Sequence, residues 1–150
     1  MPQKNPYFHW AGEGGIELLF ILDAGALINA SSPSFPEGDK YATTPDVDAE
    51  IKDMGGRILV QQEITAGRLR IMQPDKKFIM QARESASALN SRLSPADISV
   101  VALAFQLKAE KKKFTVITDD YSVQNILLKE CMDFDGVIRG KIKKVRSFRK

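Results

Sequence analysis

The run Phe114-Thr-Val-Ile117 constrains this chain most, because it is apolar, β-branched and sharply bounded, by Lys111-Lys112-Lys113 before it and Thr118-Asp119-Asp120 after it. A short run of that kind reads as a strand buried on both faces, the pattern of a parallel sheet covered by helices. Ligands of such sheets bind in the crevice outside the carboxyl ends of the strands. Asp119 and Asp120 therefore stand where a site would form. A second run, Leu18-Leu19-Phe20-Ile21-Leu22, ends the same way, in Asp23. If the two strands are parallel, all three carboxylates emerge at one edge.

The remaining stretches supply the connections. Residues 1–15, with two prolines and a Gly-Glu-Gly-Gly run, read as a lead-in segment. Ala24-Gly25-Ala26-Leu27-Ile28 turns from the first strand into a short helix. The Ser, Pro, Gly and charge of Ser31 to Tyr41 predict a flexible loop. Thr43-Thr44-Pro45 starts a helix whose apolar stripe is Val47, Ile51 and Met54, with Glu50 flanking it and Gly55-Gly56 stopping it. A second helical segment, Arg57 to Ala66, leads to a strand at Leu69-Arg70-Ile71-Met72, and Phe78 to Leu89 is weakly amphipathic. Ser94-Pro95-Ala96-Asp97 has a hydroxyl N-cap, proline at the first position and an acid at the third. The helix it starts, Ile98 to Gln106, is apolar on nearly every side and is expected to lie buried. Ser122 to Glu130 predicts another helix, and Gly136-Val137-Ile138 a last short strand. This alternation implies an α/β domain of three layers, a central parallel sheet of four to five strands with helices on both faces.

Charge is unevenly spread. The net +3 comprises 22 bases and 19 acids, yet Arg139, Lys141, Lys143, Lys144, Arg146, Arg149 and Lys150 follow one another without an acid. The body before them keeps 15 bases against the 19 acids, a net −4 beside a tail of +7. Such a tail is an electrostatic footprint for phosphate backbones or a solvated end. The domain is thus expected over residues 1–138, with a basic tail over 139–150. The Leu18–Leu22 run is far too short to span a bilayer and the N-terminus is polar, so a cytoplasmic protein is expected. The one cysteine, Cys131, reads as a small packed residue, and the one histidine, His9, has no metal-ligand spacing.

Asp23, Glu50, Asp97, Asp119 and Asp120 are the acids that could converge. Each has a plainer role open to it: Asp97 as half of a capping box, Asp120 as the cap of the helix near Ser122, Glu50 as a surface acid. Crowded together they would repel one another unless a cation neutralised them. Oxygen ligands without His or Cys suit Mg²⁺ or Mn²⁺, which lower the pKa of a bound water and stabilise a phosphodiester under in-line attack.

Leu22-Asp23-Ala24-Gly25, Glu50 on a helix after Thr43-Thr44-Pro45, Ser94-Pro95-Ala96-Asp97 and Thr118-Asp119-Asp120 resemble, in order, the four acidic motifs of the PIN-domain ribonucleases. Thr43-Thr44-Pro45 leading to Glu50-Ile51-Lys52-Asp53, and Thr118-Asp119-Asp120-Tyr121-Ser122-Val123-Gln124-Asn125, resemble its Nob-type branch of archaea and eukaryotes. That branch trims the 3′ end of small-subunit precursor rRNA. The resemblance implies that Asp23, Glu50, Asp97 and Asp120 bind the metal, with Asp119 assisting. It implies Ser94 and Thr118 as supporting hydroxyls, and Gln124 and Asn125 near metal-bound water or RNA. The branch continues into a four-cysteine zinc ribbon beyond a basic Ile-Lys-Lys-Val-like segment; this sequence has that segment, one cysteine, and no ribbon through Lys150. The expected partners are precursor small-subunit rRNA and the pre-ribosomal particle, with a homodimer left open and no membrane. The competing readings are a VapC-type toxin ribonuclease and a non-enzymatic RNA-binding assembly factor.

Overall fold

The computed structural model describes residues 19–29, 39–138 and 141–142. His9 and every basic tail residue except Lys141 lie outside the described residues. The two apolar runs form β1 (Leu19–Leu22) and β4 (Thr115–Ile117), and they pair in parallel, Phe20 beside Thr115 and Leu22 beside Ile117. The other elements in chain order are α1 (Ala24–Asn29), β2 (Lys40–Thr43), α2 (Pro45–Ala49), α3 (Met54–Thr65), β3 (Leu69–Ile71), α4 (Lys76–Ala88), α5 (Pro95–Ala109), α6 (Tyr121–Lys129), β5 (Phe134–Asp135), β6 (Val137–Ile138) and β7 (Lys141–Ile142). Five strands make one parallel sheet in the order β3-β2-β1-β4-β5, and β6 and β7 form a separate antiparallel hairpin. The expected α/β architecture and strand number are borne out.

The chain runs outward from β1 to β2 and β3, then crosses back to β4 and β5. This reversal between β1 and β4 is a topological switch point, where adjacent connections leave on opposite faces and open a crevice at the carboxyl edge. α5 closes the sheet on one side. Every residue from Ile98 to Leu107 is buried, which answers to a helix apolar all round. Ile21, Leu22, Val101, Leu103, Leu107, Val116 and Ile117 form the centre of the core, each at most 1% exposed.

Several expectations need correction. The Ser31–Tyr41 loop ends earlier than expected, because Lys40–Thr43 is β2, an interior strand of the sheet. Its stretch has no continuous apolar run, and burial comes from its neighbours: Tyr41 lies beside Phe20 and the rings stack at 5.5 Å between centroids. The helix expected to run from Thr44 to Met54 ends at Ala49. Gly55-Gly56 does not stop it but lies in the first turn of α3, capped by the Asp53 carboxylate on the Gly56 amide at 2.9 Å. Met54 is consequently 75% exposed and leaves the stripe, while Val47 and Ile51 remain buried. The last strand of the sheet is Phe134–Asp135, one step before the expected Gly136–Ile138, whose Val137–Ile138 belongs to the hairpin. Cys131 is exposed, at φ 59° just past the end of α6, and is no packing residue.

Candidate active site

Asp23 follows the last residue of β1 and opens α1. Its Oδ1 accepts the Ala26 amide at 2.7 Å, capping the first turn, and its Oδ2 accepts the Thr118 hydroxyl from the end of β4. Thr118 is fully buried, and its Oγ1 also accepts the Asp120 amide at 3.1 Å. One hydroxyl therefore ties the two strand ends across the switch point. Asp120 caps α6 by accepting the Ser122 amide at 2.8 Å, and Gln124 donates its side-chain amide to the Thr118 carbonyl at 2.7 Å. The turn after β4 is thus held from both ends before any ligand arrives.

Asp97 enters from α5. The Ser94 hydroxyl accepts its amide at 3.1 Å, and the Asp97 carboxyl accepts in return from the Ser94 hydroxyl and backbone amide, a reciprocal capping box. Thr44 positions the neighbouring helix: its hydroxyl caps α2 at Val47 and meets the Ser99 hydroxyl of α5 at 2.6 Å. Glu50 ends α2, exposed, and makes no side-chain hydrogen bond or ion pair among the described residues. Asn125 is exposed on α6.

Electrostatics tie the aspartates together. Burial raises the Asp23 carboxyl above its ordinary range, and the charges of Asp97 and Asp119 raise it further against the Thr118 and Ala26 hydrogen bonds. Burial likewise raises Asp97, opposed by Ser94 and reinforced by Asp120. Asp23 and Asp97 thus each feel another carboxylate from a different element, and Glu50 is not among the causes at either. The plainer roles of Asp97 and Asp120 as helix caps are present together with this convergence. Capping fixes where the carboxylates stand, and the charges of Asp97 and Asp119 act on Asp23 as that of Asp120 acts on Asp97.

Residues 20–107 match the family described as the PIN domain of ribonuclease. This chain belongs to the PIN-domain ribonucleases. Its expected membership is borne out by relatives as well. It is 37% identical over 135 residues to the Endoribonuclease Nob1 of Methanocaldococcus jannaschii, covering 89% of this chain and 64% of that protein. With the Endoribonuclease Nob1 of Methanothermobacter thermautotrophicus it shares 35% identity over 132 residues, 87% of this chain and 75% of that protein. The chain thus spans about two thirds to three quarters of these relatives. Among solved structures, VapBC2 from Rickettsia felis bound to a DNA fragment from their promoter superposes with a TM-score of 0.52 at 15% identity, over 79% of this chain and 98% of that one, a likeness of fold.

PIN-domain nucleases generally depend on divalent metal. Among the described residues no three acids stand in ligating geometry around one point. The donor set nevertheless fits a hard cation: it is all oxygen, and Asp23 and Asp97 are both disfavoured as anions by burial and by neighbouring carboxylates, a cost that a cation relieves. None of the described helices is long and apolar enough to cross a membrane.

Proposed function

We propose that this chain is a divalent-metal-dependent endoribonuclease that cuts single-stranded precursor RNA, and that its substrate is the 3′ end of small-subunit rRNA in the pre-ribosomal particle. The observation that supports this best is the electrostatic coupling of Asp97 to Asp120, and of Asp23 to Asp97 and Asp119, in a PIN domain whose β1 and β4 end side by side. The relatives' name, Endoribonuclease Nob1, agrees with the Nob-type resemblance of the sequence motifs, and that resemblance is what implies the substrate. Asp23, Asp97 and Asp120 would hold Mg²⁺ or Mn²⁺, with Glu50 on the adjoining α2. When bound, the cation supplies an acidified water and neutralises charge on the phosphodiester.

The protein's own residues do the positioning. Thr118 orients the Asp23 carboxylate by donating to one oxygen, and Ser94 holds Asp97 at the start of a rigid, buried helix. Gln124 braces the Thr118 carbonyl, and Asn125 is free to meet RNA. Arg139, Lys141, Lys143, Lys144, Arg146, Arg149 and Lys150 supply sequence-independent contacts to RNA phosphates. The protein acts in the cytoplasm, as a monomer or homodimer.

The test is cleavage of a single-stranded fragment spanning the 3′ end of precursor small-subunit rRNA, with Mn²⁺ and with chelator. Metal-dependent cutting is expected in the wild type and is lost in Asp23→Asn and Asp120→Asn. Cutting that survives both substitutions removes the site. Cutting of other RNAs with the precursor left intact moves the protein to the VapC-type reading.

A further inference from the structure

Two arginines on the α4–α5 side of the molecule have no partner among the described residues. Arg57 and Arg68 are each tied to a carboxylate, at 2.8 Å from Asp48 and 2.7 Å from Glu63. Arg83 of α4 and Arg92 of the loop after it are exposed, and neither makes a hydrogen bond or ion pair among the described residues. Glu84 is next to Arg83 in sequence, but successive residues of a helix do not face each other.

The chain brings the two guanidinium groups to one place. Past the end of α4, Asn90 takes left-handed backbone at φ 53°, a conformation asparagine tolerates, and the Ser91 amide turns back onto the Ala86 carbonyl at 2.8 Å. Arg92 is thereby returned alongside the last turns of α4. Both arginines line one open groove of about 510 Å³, to which Leu93, Pro95 and Ile98 give an apolar lining and no acid contributes.

Pro95 and Ile98 belong to the first turn of α5, which also carries Asp97. They share a face at i and i+3, and Asp97 lies about 100° round the helix from Ile98 and about 1.5 Å along it. The groove and the Asp97 carboxylate therefore flank the same helix start, a separation that a few nucleotides of one strand bridge. A guanidinium presents its donors in a planar fork that matches phosphate, and an arginine with no carboxylate beside it keeps that fork for a ligand. A single-stranded nucleotide offers both things the groove has partners for, an anionic phosphate and an unstacked ring face. An acidic peptide would answer only the arginines.

We infer that this groove is a subsite for the single-stranded RNA substrate, in which Arg83 and Arg92 hold backbone phosphates and the apolar lining takes a nucleobase, on the strand whose scissile phosphodiester lies at Asp97. This rests on the ribonuclease reading above. The arginines act on substrate capture and not on bond cleavage.

Binding is measured by the anisotropy of a fluorescein-labelled single-stranded precursor fragment, with chelator so that nothing is cut, over a range of salt. Both arginines are exposed and unbonded within the described structure, so their substitution leaves folding intact. Arg83→Gln and Arg92→Gln are each expected to weaken binding about tenfold, the loss of a charge-assisted contact. Each should also flatten the salt slope by about 0.7, one single-strand phosphate. Arg→Lys at either position is expected to recover the slope but only part of the affinity, because the charge returns without the fork. Lys111→Gln removes the same charge just past the far end of α5, about 22 Å away, and is expected to bind as the wild type does. In cleavage with Mn²⁺ the two Gln variants should show a raised KM with a much smaller effect on kcat.

Unchanged RNA affinity in both Gln variants overturns the proposal and leaves the groove to an acidic protein segment. An equal loss in Lys111→Gln overturns it too, since net charge alone would then be at work, and so does an equal loss on the duplexed fragment, whose paired bases cannot reach the lining. A fall in kcat with affinity unchanged would move the arginines from capture to chemistry and overturn it as well. A wild type that binds the single strand but never cuts it with Mn²⁺ sinks the ribonuclease reading alone; the affinities of the Gln variants measured with chelator then still decide the groove.

Discussion

Replacing Thr118 by Val tests the central joint of the site. Valine keeps the volume and β-branching of a fully buried residue, so packing changes little, and what is lost is one hydroxyl with two bonds. The donor to the Asp23 carboxylate is the larger loss, because hydrogen bonds to charged groups contribute about 1.5–3 kcal/mol. The Asp120 amide loses a neutral acceptor in a half-buried place, about 0.5–1 kcal/mol more. The expected cost of Thr118→Val is therefore about 2–4 kcal/mol. Thr118→Ser keeps the hydroxyl and removes one methyl, for about 1 kcal/mol. Urea denaturation of metal-free protein reads this as a lower midpoint at unchanged m. The deficit has a pH signature as well. The Thr118 bond holds the Asp23 carboxyl below the value that burial alone would set, so its loss raises the folded-state pKa further. The Val deficit should then grow as pH rises through that pKa and shrink in acid, where a protonated Asp23 needs the donor least. A Val variant as stable as wild type, or a Ser variant as damaged as Val, would refute the reasoning.

Ile117→Ala is expected to cost about 2–4 kcal/mol and Val101→Ala somewhat less, since both side chains are fully buried in the core; chemical denaturation reads both, and a negligible loss would misplace the core. The unliganded site should also make the protein lose stability as pH rises from the ordinary carboxylate range through the raised pKa values of Asp23 and Asp97. Asp23 and Asp97 have folded-state carboxyls raised above their ordinary range, so their contribution is full below the unfolded value and is lost as pH rises through the folded one. Thermal melts of metal-free Asp97→Asn should lack part of this slope, and Mn²⁺ should raise the wild-type melting temperature more once pH has passed the raised folded-state pKa values than below them; a wild-type slope kept intact by Asp97→Asn would exclude Asp97 as its source.

Elements with a local cause were legible in the sequence. β1 and β4 are continuous apolar runs, α5 carries its own cap and first-turn proline, and the strands are followed by Asp23 and by Thr118-Asp119-Asp120. β2 was not legible. Lys40-Tyr-Ala-Thr43 has no run of its own and is a strand because β1 and β3 hydrogen-bond it on both sides. Gly55-Gly56 read as a stop because glycine is a poor helix former, yet a well-capped α3 accommodates both in its first turn. The relation of Asp23 to Thr118, 95 residues apart, has no local signal at all.

The acidic positions, their order and the strand ends that carry them were determined by the sequence, because burial patterns and helix caps are short-range properties that a few adjacent residues specify. Which acid faces which partner was decided only by the tertiary structure. The parallel pairing of β1 with β4 brings Asp23 to the Thr118 hydroxyl, and the turn after β4 sends two adjacent carboxylates different ways, Asp120 to the start of α6 and Asp119 to the hairpin at Val137. Adjacent residues of the same type differ in role here because a turn points successive side chains at different neighbours, and those neighbours come from distant parts of the chain.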